Sequence, residues 1–251
     1  MRIQAFVVML FLCGYSLAEE KYTPPQSSAL GGVSFDGTAV GQQFHSRFTE
    51  CDMKNMCDGK KLKYGCSSDQ NHNTTILKLK NDTIFYDAKM GLDADGSPYS
   101  KNTPGQTDQP ETSLRYPLSG KPSINADRVP FIVIPLGGFD NELGVTIGDV
   151  AAVVYGQKRV FAVVADQGPK CKLGEGSIQL HELLGHTVCK ARDSKGDCVK
   201  LRNVGIDKNV QYFIFPGTHK ELMLGLTPQN IIEHINSIGE TSWQKLTASA
   251  E

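Results

Sequence analysis

The chain has 251 residues, with 26 Lys and Arg against 27 Asp and Glu, a formal charge of −1. That balance excludes a strongly basic surface of the kind that binds nucleic acid, so no nucleic-acid partner is expected. Beyond the first residues no run reaches the roughly 18 apolar residues that a membrane span takes, so no membrane partner is expected either.

Arg2, the apolar run 3–12 and the small-x-small sequence Ser16-Leu17-Ala18 read as a signal peptide over residues 1–18. The mature chain is then exported, either secreted to the extracellular space or periplasmic, and is read as a monomer. Residues 19–32 read as a flexible N-terminal extension, and residues 33–251 as one domain long enough to bury a sizeable core. Six cysteines follow the leader: Cys51, Cys57, Cys66, Cys171, Cys189 and Cys198. They fall into two groups of three, and three cannot pair among themselves. If all are oxidised, at least one bridge joins the 51–66 region to the 171–198 region. No C-x-x-C spacing or finger-type His pair accompanies them, so no metal is expected.

Further along, residues 74–86 alternate around Asn81-Asp82 and read as a hairpin. Residues 96–127, rich in Ser, Pro, Gly, Asn and Asp, read as a surface loop or a groove wall. Residues 131–135 form a short buried strand. Residues 149–165 give the clearest hairpin, two β-branched runs around a Gly156-Gln157 turn of type II′. Residues 177–184 have helical spacing and stop at Gly185; residues 210–215 read as a strand. Thr227-Pro228 opens a helix that runs to Ile238 with Gly239 as its stop. The expected fold is mainly β, with a barrel-like or sandwich core and a few short surface helices.

Several motifs fail on spacing. In His181-Glu182-Leu183-Leu184-Gly185-His186 the histidines are i and i+5, not the i and i+4 of a zinc protease helix, and both read as surface or helix-end residues. Asp93-Ala94-Asp95-Gly96 begins like a calcium loop, but position 12 is Pro104; a non-EF cation shared by Asp87 and Asp95 is the alternative, and a turn is the better reading. Asn73 and Asn81 open N-glycosylation sequons. No nucleotide fingerprint is present, and no cofactor is expected.

The richest stretch is residues 165–177, where Asp166 and Glu175 stand nine positions apart on a Gly/Pro loop. Two acids held by rigid flanks suit glycosidic hydrolysis. One protonates the leaving oxygen and the other activates water, at about 6.5–9.5 Å for inversion or about 5–5.5 Å for retention. Either separation fits such a loop. The plainer alternative is a turn Asp and a first-turn Glu. A Glu at a helix N-terminus, with Lys170 and Lys172 nearby, favours an ionised Glu175 and hence a base.

The chain resembles glycoside hydrolase family 75, the fungal-type chitosanases, in divergent secreted form. The similarity rests on Gly148-Asp149-Val150-Ala151-Ala152-Val153, Asp166-Gln167-Gly168-Pro169 and Gly174-Glu175-Gly176-Ser177. Upstream, Tyr86-Asp87-Ala88, Asp93-Ala94-Asp95-Gly96, Glu111-Thr112-Ser113-Leu114 and residues 125–133 keep the family's order, and Phe213-Ile214-Phe215-Pro216-Gly217 closes it. The resemblance implies an inverting, metal-independent endo-hydrolase of β-1,4 bonds in chitosan or a related amino-sugar polysaccharide. It places the catalytic pair on Asp166 and Glu175, with Glu175 as acid and Asp166 as base, the reverse of the dipole argument. Asp149, Glu111 and Lys172 are candidate substrate-binding residues. The rivals are a non-catalytic glycan-binding module and an exported structural protein, and a single tryptophan, Trp243, is few for a sugar-stacking cleft.

Overall fold

The computed structural model describes residues 22–62, 66, 75–103, 109–202 and 204–248. The expected leader with Cys13, and Asn73, lie outside them. Among the described residues twelve strands are present: β1 (Thr38–Val40), β2 (Met56–Cys57), β3 (Lys60–Lys61), β4 (Ile76–Lys78), β5 (Ile84–Asp93), β6 (Phe131–Pro135), β7 (Val150–Tyr155), β8 (Lys158–Gly168), β9 (Glu175–Ser177), β10 (Cys189–Arg192), β11 (Cys198–Leu201) and β12 (Ile206–Phe215). The helices are α1 (His45–Lys54), α2 (Pro98–Asn102), α3 (Phe139–Leu143), α4 (Ile178–Leu183), α5 (His219–Leu222) and α6 (Ile231–Thr247).

The main sheet runs β1-β4-β5-β12-β7-β8-β6-β9, and β9 also pairs with β5. Six strands, β5, β12, β7, β8, β6 and β9, therefore close into a barrel. β5 is long enough to hold β4 along its first residues and, in parallel, β9 along Gly91 to Asp93. The expected hairpins are present. In the β7–β8 turn Gly156 has φ +58° while Gln157 stays at negative φ, the type II′ pattern.

Alternation along the strands produces two apolar faces. Tyr86, Met90, Ile132, Ile134, Ala151, Val153, Val164, Tyr212 and Ile214 form one cluster. Phe85, Phe131, Val133, Val150, Ala152, Val163, Ala165, Phe213 and α6 form the other. A 17-residue helix cannot enter a six-stranded ring, so the second face is the outside. Inside, Ala88, Ala151 and Ala162 leave room for Tyr86 and Tyr212 to stack at 4.6 Å. Burying each large apolar side chain contributes about 1.5–3 kcal/mol relative to exposure.

Four expectations are corrected. The C-terminal helix begins at Ile231 after Asn230 and continues to Thr247, so Thr227-Pro228 precedes it by a turn. Gly239 lies in its interior, where a Cβ would sit 2.4 Å from Phe161 Cγ: glycine is there for close approach to β8 and does not stop the helix. The part of the N-terminal extension that is described is packed down. Tyr22 donates to Asp87 Oδ2 at 2.6 Å and touches Phe35 and Phe85, and the Ser28 backbone donates to Gln157 Oε1. His181 is fully buried, its ring nitrogens 2.9 Å from Ser177 O and 3.2 Å from Met90 O, and burial pushes its pKa down to about 4. The sequence could not show that the face of α4 bearing His181 turns onto β5.

Disulfides join Cys51 to Cys66, Cys57 to Cys171 and Cys189 to Cys198. The second spans 114 residues and is the cross-group bridge that parity demands. It ties the β2 segment to the loop before β9. Nearby, the buried pair Lys89–Asp52 ties α1 to β5.

Candidate active site

The site is built on strand register. Ile132 pairs with Val164, but the next residue, Val133, pairs with Asp166. One extra residue, Ala165, is accommodated as a bulge in β8. Strict alternation from Val164 would turn Asp166 into the barrel; the bulge returns it to the outer face beside Val133. On its other edge Val133 pairs with Glu175, and Glu175 pairs with Gly91. Gly91, Glu175, Val133 and Asp166 thus form one row across four strands, facing outward. The two acids flank Val133, their backbones two interstrand spacings apart, about 9–10 Å.

Glu175 opens a strand, not a helix; α4 starts at Ile178 with Ser177 as its cap. The expectation of a helix-terminal Glu is therefore corrected, and the dipole argument lapses. Such a short strand of Glu-Gly-Ser exists because β5 and β6 both offer it partners. Its carboxylate is held instead by Lys172, whose Nζ lies 2.6 Å from Oε1, with both side chains 9% exposed. Oε2 lies over β8, where a Cβ on Gly168 would come within 2.7 Å of it. The glycine of the Asp-Gln-Gly-Pro sequence leaves that space open. Lys170, the other neighbouring lysine, is exposed and pairs with Asp58.

Asp166 is 2% exposed. Its Oδ1 accepts from Ser113 N at 3.0 Å, Ser113 Oγ at 2.6 Å and Gln167 N at 2.8 Å. Burial pushes its pKa above the usual carboxylate range and the Glu175 charge adds to the rise, while the three hydrogen bonds oppose it. A carboxylate oxygen of each of Asp93, Asp95 and Asp166 lies within 4.8 Å of the others. Asp93 is pushed well above its ordinary range by burial, then by the charges of Asp95, Asp166 and Glu175. Its Oδ1 accepts from Asp95 N at 2.7 Å, so the Asp-Ala-Asp-Gly sequence is a turn, as expected, but one that delivers two more acids to the site.

This trio holds the carboxylates, among the described residues, grouped closely enough to share a hard cation. Cys57, Asp58 and Cys171 also cluster, but their two sulfurs are bonded to each other.

The remaining sequence candidates separate. Glu111 is two residues before Ser113 in the chain and partly exposed; Arg115 pairs with it and holds its carboxyl below the usual range, and Lys101 lies 3.5 Å away. Asp149 does not line a cleft. It is fully buried, Oδ2 accepting from Thr146 N and Oδ1 from His219 N, with His219 Nδ1 at 2.9 Å, and it fixes the start of β7 to α5. Lys172 faces Glu175 rather than an open surface. Ser113, Asp93, Val133 and Gly168 are site residues that sequence reasoning did not single out by role. Each reaches the row through long-range pairing that no local pattern announces.

Paired carboxylates on one rigid sheet face are the equipment of a glycoside hydrolase. Residues 90–246 match the sequence model of a family described as fungal chitosanase of glycosyl hydrolase group 75, more than half of the 251 residues, and the chain belongs to that family. It is accordingly a chitosanase-like glycoside hydrolase. No curated protein matches the chain.

Proposed function

We propose that this protein is an exported endo-hydrolase that cleaves β-1,4 bonds of chitosan or a related amino-sugar polysaccharide with inversion, using Asp166 and Glu175 as its acid/base pair. The observation that carries the reading is the row in which both acids flank Val133. Inversion calls for carboxyl groups about 6.5–9.5 Å apart with a water between one of them and the sugar, and retention for about 5–5.5 Å; the inverting outcome is carried by the family resemblance. The near-neutral chain does not advertise a cationic substrate, but Asp93, Asp95, Asp166 and Glu175 gather four carboxyl groups beside one lysine, and their oxygens can accept hydrogen bonds from protonated glucosamine units.

The environment also bears on the division of roles. Burial pushes Asp166 toward the protonated form, and Lys172 forms a salt bridge with Oε1 of Glu175. Both effects favour Asp166 as acid and Glu175 as base, the reverse of the order implied by the family resemblance. The leader 1–18 would be removed on export, leaving residues 33–251 as the working domain with residues 22–32 folded against it.

The test is a reducing-end assay on chitosan, chitin and peptidoglycan with wild type, Asp166→Asn and Glu175→Gln. New ends on chitosan, released as the inverted anomer in early NMR spectra, support the proposal. Substrates with activated leaving groups spare the variant that lacks the acid and so assign the roles. Binding without new ends would make the protein a glycan-binding module.

A further inference from the structure

We propose that Lys172 is a positioning residue for Glu175 and not a substrate ligand, and that the Cys57–Cys171 bridge holds it in place. The inference rests on the reading of Glu175 as a catalytic acid or base. Three observations support it. First, Lys172 Nζ is 2.6 Å from Glu175 Oε1, and with only 9% of its side chain exposed it has little surface to offer a sugar. Second, β5 makes room for it: a Cβ on Gly91 would come within 3.1 Å of Lys172 Cε and 3.2 Å of Nζ. Gly91 is the strand partner of Glu175, so the lysine lies across the edge of the row and closes it on the β5 side. Third, the residue before it is Cys171, fully buried and bonded to Cys57, while the Lys172 N–H donates to Pro169 O at 3.0 Å. Both constraints fix the backbone from which the side chain reaches.

The charged groups facing Glu175 are Lys172 from the preceding loop, Asp166 from β8 and Asp93 from β5; β6 presents Val133. Two of the three are acids. Without Lys172 the carboxylate of Glu175 would face only other acids, and its Oε1 would lose the partner that orients it. Lys172 therefore sets the position of one member of the pair, and the disulfide transmits its order to the chemistry.

The experiment uses the full-length secreted protein with its disulfides formed. Lys172→Met, Lys172→Arg and Glu175→Gln are assayed on chitosan across pH, with melting temperatures measured in parallel. In Lys172→Met, kcat is expected to fall at least tenfold with KM within about twofold. One limb of the kcat/KM profile, and only one, should move to higher pH by about 1–3 units, the loss of an opposite charge within contact distance. Lys172→Arg should keep that limb in place. A raised KM with unmoved limbs would make Lys172 a substrate ligand; a lowered melting temperature with unmoved limbs would make it structural. Either result overturns the proposal. If Lys172→Met does not fold, Lys172→Arg decides: a limb that moves despite the retained charge overturns it. Activity surviving in Glu175→Gln would instead refute the underlying assignment of Glu175.

Discussion

The two faces of the barrel are built by opposite rules. The inner face is filled by β-branched and aromatic side chains around the Tyr86–Tyr212 stack, and the clustered residues there are apolar. The outer face is equally apolar under α6, but at the β8–β6–β9–β5 sector it gathers four carboxylates and a lysine. The same strands serve both: Ile132 and Val164 face in, and one bulge later Val133 and Asp166 face out. Packing supplies the rigidity, and the bulge decides which face receives the reactive group.

That contrast is open to attack, beginning with the largest effect. Glu175→Gln or Asp166→Asn should lower kcat by about 10²–10⁴, the usual yield of a positioned acid or base, with little change in melting temperature. A variant that retains near wild-type turnover would remove the chemistry from the outer face. On the inner face the expectation is inverted. Ile132→Ala deletes fully buried methyl groups and should cost about 2–5 kcal/mol in urea unfolding, while the folded fraction keeps its kcat. Gly168→Val tests the point where packing and chemistry meet. Its side chain would displace Glu175 Oε2, and a shift of about 1 Å should cost on the order of 10²-fold in kcat.

The smallest effect concerns pH. Asp93 has a raised pKa in the folded state, so the native protein holds its proton where the unfolded chain releases it. Stability from this group is present below the ordinary carboxylate value and is lost as pH rises from there toward the raised value. The melting temperature of wild type relative to Asp93→Asn should therefore fall as pH increases through that window. A difference that stays flat from pH 4 to 7 (a range chosen to begin at about the ordinary Asp pKa) would show that neither burial nor the neighbouring acids raise the pKa of Asp93.

Sequence made some of this visible and hid the rest for identifiable reasons. The β7–β8 hairpin was legible because β-branched alternation and a Gly-first turn agree. Asp166 and Glu175 were legible as a pair through their spacing and the motifs around them. β9 was not, because Glu-Gly-Ser has no strand character of its own and is recruited by neighbours from distant parts of the chain. The bulge at Ala165 leaves no compositional trace, so the outward turn of Asp166 could not be read. Asp93 and Asp95 were recognised as a turn, correctly, but their approach to Asp166 depends on barrel closure. The extent of α6 was obscured by Gly239, whose meaning lies in Phe161 on another element.

Closure has one more consequence, for behaviour at high concentration. A sheet edge with unpaired backbone groups is a template on which other chains assemble. Here six of the eight strands of the main sheet form a ring and expose no continuous edge, and the open side is left to β1, three residues long and only partly exposed. Edge-to-edge aggregation is thereby denied most of its foothold. The strand that denies it is β9, whose first residue is Glu175. The same short segment guards the solubility of the fold and carries one of its proposed acids.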